Sequence, residues 1–185
     1  MTLELSKFTP DQQFQLSGLF YKIGIWMSHA DDAGESDHGS DVAEEAQLYN
    51  VLEKMAKTYK AFPLIKEMAD NAVSQSGYHA QWKAESDNAV AEAAIVARML
   101  KAAASQQELD AFKGACMQVA TDVAKAYQED EYHTDVNHGM DYDVLVEKVA
   151  NFFARISNRK LYEEMNISPA EDNALSELAN ALRNV

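Results

Sequence analysis

Apolar residues recur at intervals of mostly three and four along this chain, and little interrupts them: 185 residues hold only seven Gly and three Pro. That spacing lines one face of a 3.6-residue helix, and Gly and Pro are the residues that weaken or end helices. The expectation is an all-α protein, a single domain of about seven helices over residues 1–185. At 47% hydrophobic and 25% charged residues, the composition is that of a chain able to bury a core.

Capping signals divide the pattern. Thr9-Pro10-Asp11-Gln12 joins a capping Thr, a Pro at the first helical position and a Gln three residues after the cap. It predicts a helix from Pro10 to about His29 with Phe14, Leu19, Phe20, Ile23, Trp26 and Met27 facing inward. Asp41-Val-Ala-Glu44 predicts the start of a second helix, with Val42, Ala46, Tyr49, Leu52, Met55, Ala56 and Tyr59 on its stripe and an end near Ala61. A short helix follows from Pro63 to about Ala72, and a long one over Tyr78 to Ala104 carries Trp82, Val90, Ala93, Val96, Ala97 and Leu100. Ser105-Gln-Gln-Glu108 opens a helix in which Cys116 lies on the apolar stripe, as a small core residue. Residues 129–140 read as loop, 141–157 as helix, and Ser168-Pro169-Ala-Glu171 caps the last one.

Two stretches, 23–56 and 119–150, share an organisation: an apolar helix, an acidic loop with histidines and glycine, then a second apolar helix. Their ends, Tyr49-Asn-Val-Leu-Glu-Lys-Met-Ala56 and Tyr142-Asp-Val-Leu-Val-Glu-Lys-Val-Ala150, align after one insertion. They read as a pseudo-duplicated helix-loop-helix unit.

Charge follows the same division. Between Lys22 and Lys54 there are eight acids and no Lys or Arg; between Lys125 and Lys148 there are seven and again none. The two windows thus hold 15 of the 30 acids, together with His29, His38, His133 and His138, while the rest of the chain sets 15 acids against 16 bases. A formal net charge of −14 argues against nucleic acid or anionic membrane as partner, since both reward clustered Lys and Arg. A cation or a basic protein surface is the expected partner. No run reaches the roughly 18 apolar residues of a membrane span. The opening Met1-Thr-Leu-Glu-Leu-Ser has no basic, then apolar, leader, and cytoplasm is the expected location.

Clustered carboxylates repel one another unless solvated, protonated or bridged by a cation, and oxygen with imidazole ligands suits Ca²⁺, Mg²⁺, Mn²⁺ or Zn²⁺. The candidate metal ligands are Asp31, Asp32, Glu35, Asp37, His38, Glu44 and Glu45 in the first window and His133, Asp135, His138 and Asp141 in the second. Neither loop has the EF-hand layout: counted from Asp32, Asp37 stands where the invariant Gly belongs. Glu35-Ser-Asp-His38 matches the Glu-x-x-His element of di-iron bundles, but Gly34 and Gly39 flank it, whereas that element sits inside a helix. Nucleophilic motifs are missing: there is no Gly-x-Ser-x-Gly, no His-Glu-x-x-His and no phosphate-cradling Gly loop. His79, near a helix start beside Trp82, reads as a packing or surface residue.

Ala30-Asp31-Asp32-Ala33-Gly34 followed by Glu44 and Glu45, and the closing Met165-Asn-Ile-Ser-Pro-Ala-Glu171, give the chain a layout that resembles the TerB-like domains associated with tellurite resistance. The resemblance runs over about residues 14–183, with Ala126-Tyr127 in the second unit where Ala-Asp would be expected. It implies a stress-linked, cytoplasmic, divalent-cation-binding or scaffold domain without a defined reaction. The resulting expectation is a non-enzymatic binding protein whose acidic loops hold a divalent cation. Its alternatives are an acidic module for a basic partner and, third, a di-iron carboxylate oxidoreductase.

Overall fold

One helix lies at the centre and the others surround it. In the computed structural model, which describes residues 2–30, 40–126 and 168–185, helix α1 (Pro10–Ser28) packs against α2 (Ser40–Thr58), α3 (Pro63–Ser74), α4 (His79–Ala84), α5 (Ala89–Ala103) and α6 (Gln106–Ala126). Helix α7 (Pro169–Arg183) closes the far side against α5 and α6. The described residues form an all-α domain of seven helices, accompanied by three single 3-10 turns, around one continuous apolar core. No helix among them is long and apolar enough to cross a membrane.

The central position of α1 buries the expected Leu19, Phe20, Ile23 and Met27 and much more besides. From Leu16 to Ser28 every residue except Trp26 is buried, including Tyr21, Lys22 and Ile25, while Phe14 and Trp26 are only partly covered. A helix enclosed on all sides has no preferred face for periodicity to report. Close approach on α1 needs small residues. A Cβ on Gly18 would stand 2.5 Å from the indole of Trp82, and one on Gly24 would run into Leu48. Buried Lys22 places its ammonium between the carboxylates of Glu92 and Glu85, the latter at 3.6 Å, tying α1 to the start of α5.

The caps hold as predicted at three helices. Thr9 accepts from Gln12 N–H while Gln12 accepts from Thr9 N–H, and Ser168 and Glu171 pair in the same reciprocal way. Ser105 and Glu108 do so at α6, where Glu108 also accepts from the backbone N–H of Leu3 at 2.7 Å. Two expectations change. Helix α2 begins at Ser40, which puts Asp41 inside the helix rather than at its cap, and from Glu45 onward its buried residues are Leu48, Val51, Leu52, Met55 and Ala56, followed by Tyr59 just past its end, with Ala46 exposed. The long helix over 78–104 is two helices joined by the 3-10 turn Ser86–Asn88, where the Ser86 hydroxyl takes the Lys83 carbonyl that a continuing helix would use. Cys116 is fully buried and burial pushes its thiol well up, the state of a core residue. The loop expected over 129–140, the helix over 141–157 and most of the second pseudo-repeat lie outside the described residues.

Candidate functional site

Of the candidate ligands, Asp31, Asp32, Glu35, Asp37, His38, His133, Asp135, His138 and Asp141 lie outside the described residues, and Glu44 is described only as a position in α2. Glu45 is described in full. One turn into α2, it faces back over α1 and forms the centre of a polar cluster that the charge pattern did not foretell. Its Oε1 accepts the hydroxyl of Tyr21 from α1 at 2.7 Å and that of Tyr49, one turn along α2, at 2.9 Å. Tyr49 Oη also lies 2.9 Å from His79 Nδ1, and that nitrogen is 3.8 Å from Glu45 Oε1. The other ring nitrogen, Nε2, is 2.8 Å from the carbonyl of Ala72 in α3. Four helices therefore share one hydrogen-bonded chain.

Rings enclose it. The imidazole of His79 lies nearly parallel to the Tyr21 ring, with centroids 4.5 Å apart and planes 13° from parallel, and Trp82 stands 5.6 Å from the imidazole and 6.0 Å from Tyr21. His79, the first residue of α4, is thus a buried packing residue, as its position beside Trp82 suggested.

The electrostatics follow from this enclosure. Burial pushes the Tyr21 hydroxyl far up, and the hydrogen bond to anionic Glu45 adds to it; the same causes push Tyr49 up to about 12. Burial works to raise the Glu45 carboxyl. The hydroxyls of Tyr21 and Tyr49, with the electrostatic pull of nearby His79 and Lys83, outweigh it and leave the group below the usual carboxylate range. This arrangement accounts for the Glu45 carboxylate without a bound ion. Among the described residues there is no group of three or more His, Cys, Asp or Glu placed to hold a metal.

Sequence reasoning named Glu45 and His79 separately and missed their union. The i, i+4 spacing of Glu45 and Tyr49 was a usable signal, because such a pair shares a helix face. Nothing in the sequence places Tyr21 or His79 against them. No protein-family model matches the chain, no curated protein matches it, and no solved structure does.

Proposed function

We propose that the protein is a non-enzymatic, cytoplasmic binding domain whose two acidic segments hold a basic protein surface. One observation carries the reading. The acidic stretch between α1 and α2 and the one that follows α6 both spring from helices that pack on one another, since α1, α2 and α6 are mutual neighbours. Outside the two windows acids and bases nearly balance, so the net charge of −14 belongs to these segments. Concentrated like charge raises the local potential, attracts a cationic surface and speeds encounter with it. Of the two roles that the TerB-like resemblance implies, scaffold and cation site, the engagement of Glu45 with two tyrosines supports the scaffold.

The test is calorimetric titration with a Lys- and Arg-rich peptide in chelator, repeated from about 50 to about 300 mM NaCl, over which the Debye length falls by rather more than half. Expected are binding that weakens steadily with salt and a loss spread evenly over single Asp→Asn changes in the windows. No binding at the lowest salt would overturn the proposal. So would binding that requires Ca²⁺, Mg²⁺, Mn²⁺ or Zn²⁺ and is lost at two or three carboxylates only, which is the signature of a coordinated ion.

A further inference from the structure

Tyr78 is, with Ile95, one of two large apolar side chains left exposed among the described residues, 48% open to solvent. A single exposed ring is ordinary on a protein surface. This one is braced from within. It meets Phe14 of α1 in a T, with centroids 5.1 Å apart and planes at 82°, and stands 5.9 Å from the wholly buried Trp82. Beside it the surface is open, since a Cβ added to Gly77 would meet nothing within 4 Å. A ring held on one side and free on the other can receive a ligand with little further ordering.

Acids gather around this ring. Exposed Asp11 stands one turn before Phe14 on α1, and residues three apart share a helix face. The residue after Tyr78 is His79, whose Nδ1 lies 3.8 Å from Glu45 Oε1. Helix α2 runs in the same sense as α1, because Tyr21 meets Glu45 and, three residues on in each helix, Gly24 faces Leu48. The start of α2, which carries Asp41, Glu44 and Glu45 of the first acidic window, therefore lies towards the end of α1 that carries Asp11 and Phe14. The bases of these elements are already engaged: Lys22 is buried between Glu85 and Glu92, and Lys83 acts on Glu45.

We propose that Tyr78 is the seat of an arginine side chain of the basic partner, its guanidinium laid on the exposed tyrosine face and paired with Asp11. A planar, weakly hydrated guanidinium stacks on an aromatic ring and still presents its N–H fork to a carboxylate. A lysine ammonium is a hydrated point charge and does less of both. Tyr and Arg are also residues that concentrate binding energy at interfaces. This role rests on the reading of the protein as a domain for a basic surface, and it adds selectivity to that reading. The acidic windows attract any cation-rich surface, whereas Tyr78 selects arginine.

Calorimetric titration of the full chain with arginine and lysine octapeptides, in chelator at about 50 mM NaCl, tests the assignment. Wild type should favour arginine over lysine. Tyr78→Leu, which keeps an apolar cover on Phe14 without a π face, should lower that preference about two- to fivefold, and Tyr78→Phe should retain it. Asp11→Asn, a change at an exposed position, should lower it as well. An equal preference in wild type and Tyr78→Leu would overturn the arginine seat while leaving the acidic windows as the binding surface. No binding of either peptide to wild type would remove the basic partner and the seat together. Free wild type that sediments as a dimer, and as a monomer once Tyr78 is changed to Leu, would put a second copy on this face and overturn the seat by another route.

Discussion

Gly18 shows how much of this fold rests on a residue that no hydropathy pattern would single out. It faces the indole of Trp82, which is wholly buried and bordered by Phe14, Tyr21, Tyr78 and His79 with ring centroids 5.6 to 6.0 Å away. A methyl group at Gly18 would stand 2.5 Å from the ring, and a planar ring boxed by four others has nowhere to go. Gly18→Ala is therefore expected to destabilise the protein by about 1–2 kcal/mol: overpacking costs about 1–3, offset in part by the better helix propensity of Ala. Gly24→Ala should cost less, because its obstacle is the end of the Leu48 side chain, which can turn. Urea unfolding of both variants checks this, and a Gly18→Ala protein as stable as wild type would refute the packing account. At this scale the sequence was least informative. Tyr21, Lys22 and Ile25 are buried because α1 is enclosed by five helices, and only assembly of those helices decides it.

Among the elements, helix starts were the most legible feature, because a cap is local chemistry: the Thr9, Ser105 and Ser168 boxes form between residues three apart. Where a helix ends in response to tertiary contacts, local rules fail. The break between α4 and α5 lies where Glu85 and Glu92 turn towards buried Lys22, a partner more than 60 positions away. The Ser105 cap also does more than its motif implies. Glu108 holds the Leu3 N–H as well as Ser105, the Leu64 N–H donates to the Leu3 carbonyl at 3.1 Å, and the Leu5 N–H donates to Glu67 at 2.7 Å. The N-terminal segment is thereby pinned across α3 and α6. Burial works to raise the Glu108 carboxyl, but the N–H groups of Ser105 and Leu3 prevail and lower it. A carboxyl lowered on folding contributes stability that is complete above its unfolded value, about pH 4.3, and is lost as pH falls through the folded one. Glu108→Gln should accordingly be less stable than wild type at neutral pH, with the gap closing below about pH 4. Denaturant midpoints of the two proteins between pH 3 and 7 provide the check, and a gap independent of pH would rule out this role for the charge.

For the whole molecule, the helical class and its single core were readable because the three-and-four spacing and the shortage of Gly and Pro act on every segment alike. The site was readable only as charge. The acids of the two windows can be counted in the sequence, whereas the seating of Glu45 among Tyr21, Tyr49 and His79 depends on how α1, α2 and α4 cross. That uneven charge has an effect on stability opposite in sign to its effect on binding. Fifteen acids fall in two windows without a Lys or Arg among them, and like charges so concentrated along the sequence work against a compact state. Raising NaCl from about 20 mM to about 500 mM shortens the Debye length from about 20 Å to about 4 Å and screens that repulsion, even as it weakens attraction to a basic partner. The melting temperature should therefore rise with salt, by about 2–4 °C if the relief amounts to about 1 kcal/mol in a chain of this size. Changing Asp31, Asp32 and Asp37 to Asn and Glu35 to Gln should raise the low-salt melting temperature and flatten its salt dependence. If melting instead fell with salt, attraction between opposite charges in the helical body would outweigh repulsion within the windows, and the concentration of charge would not govern stability.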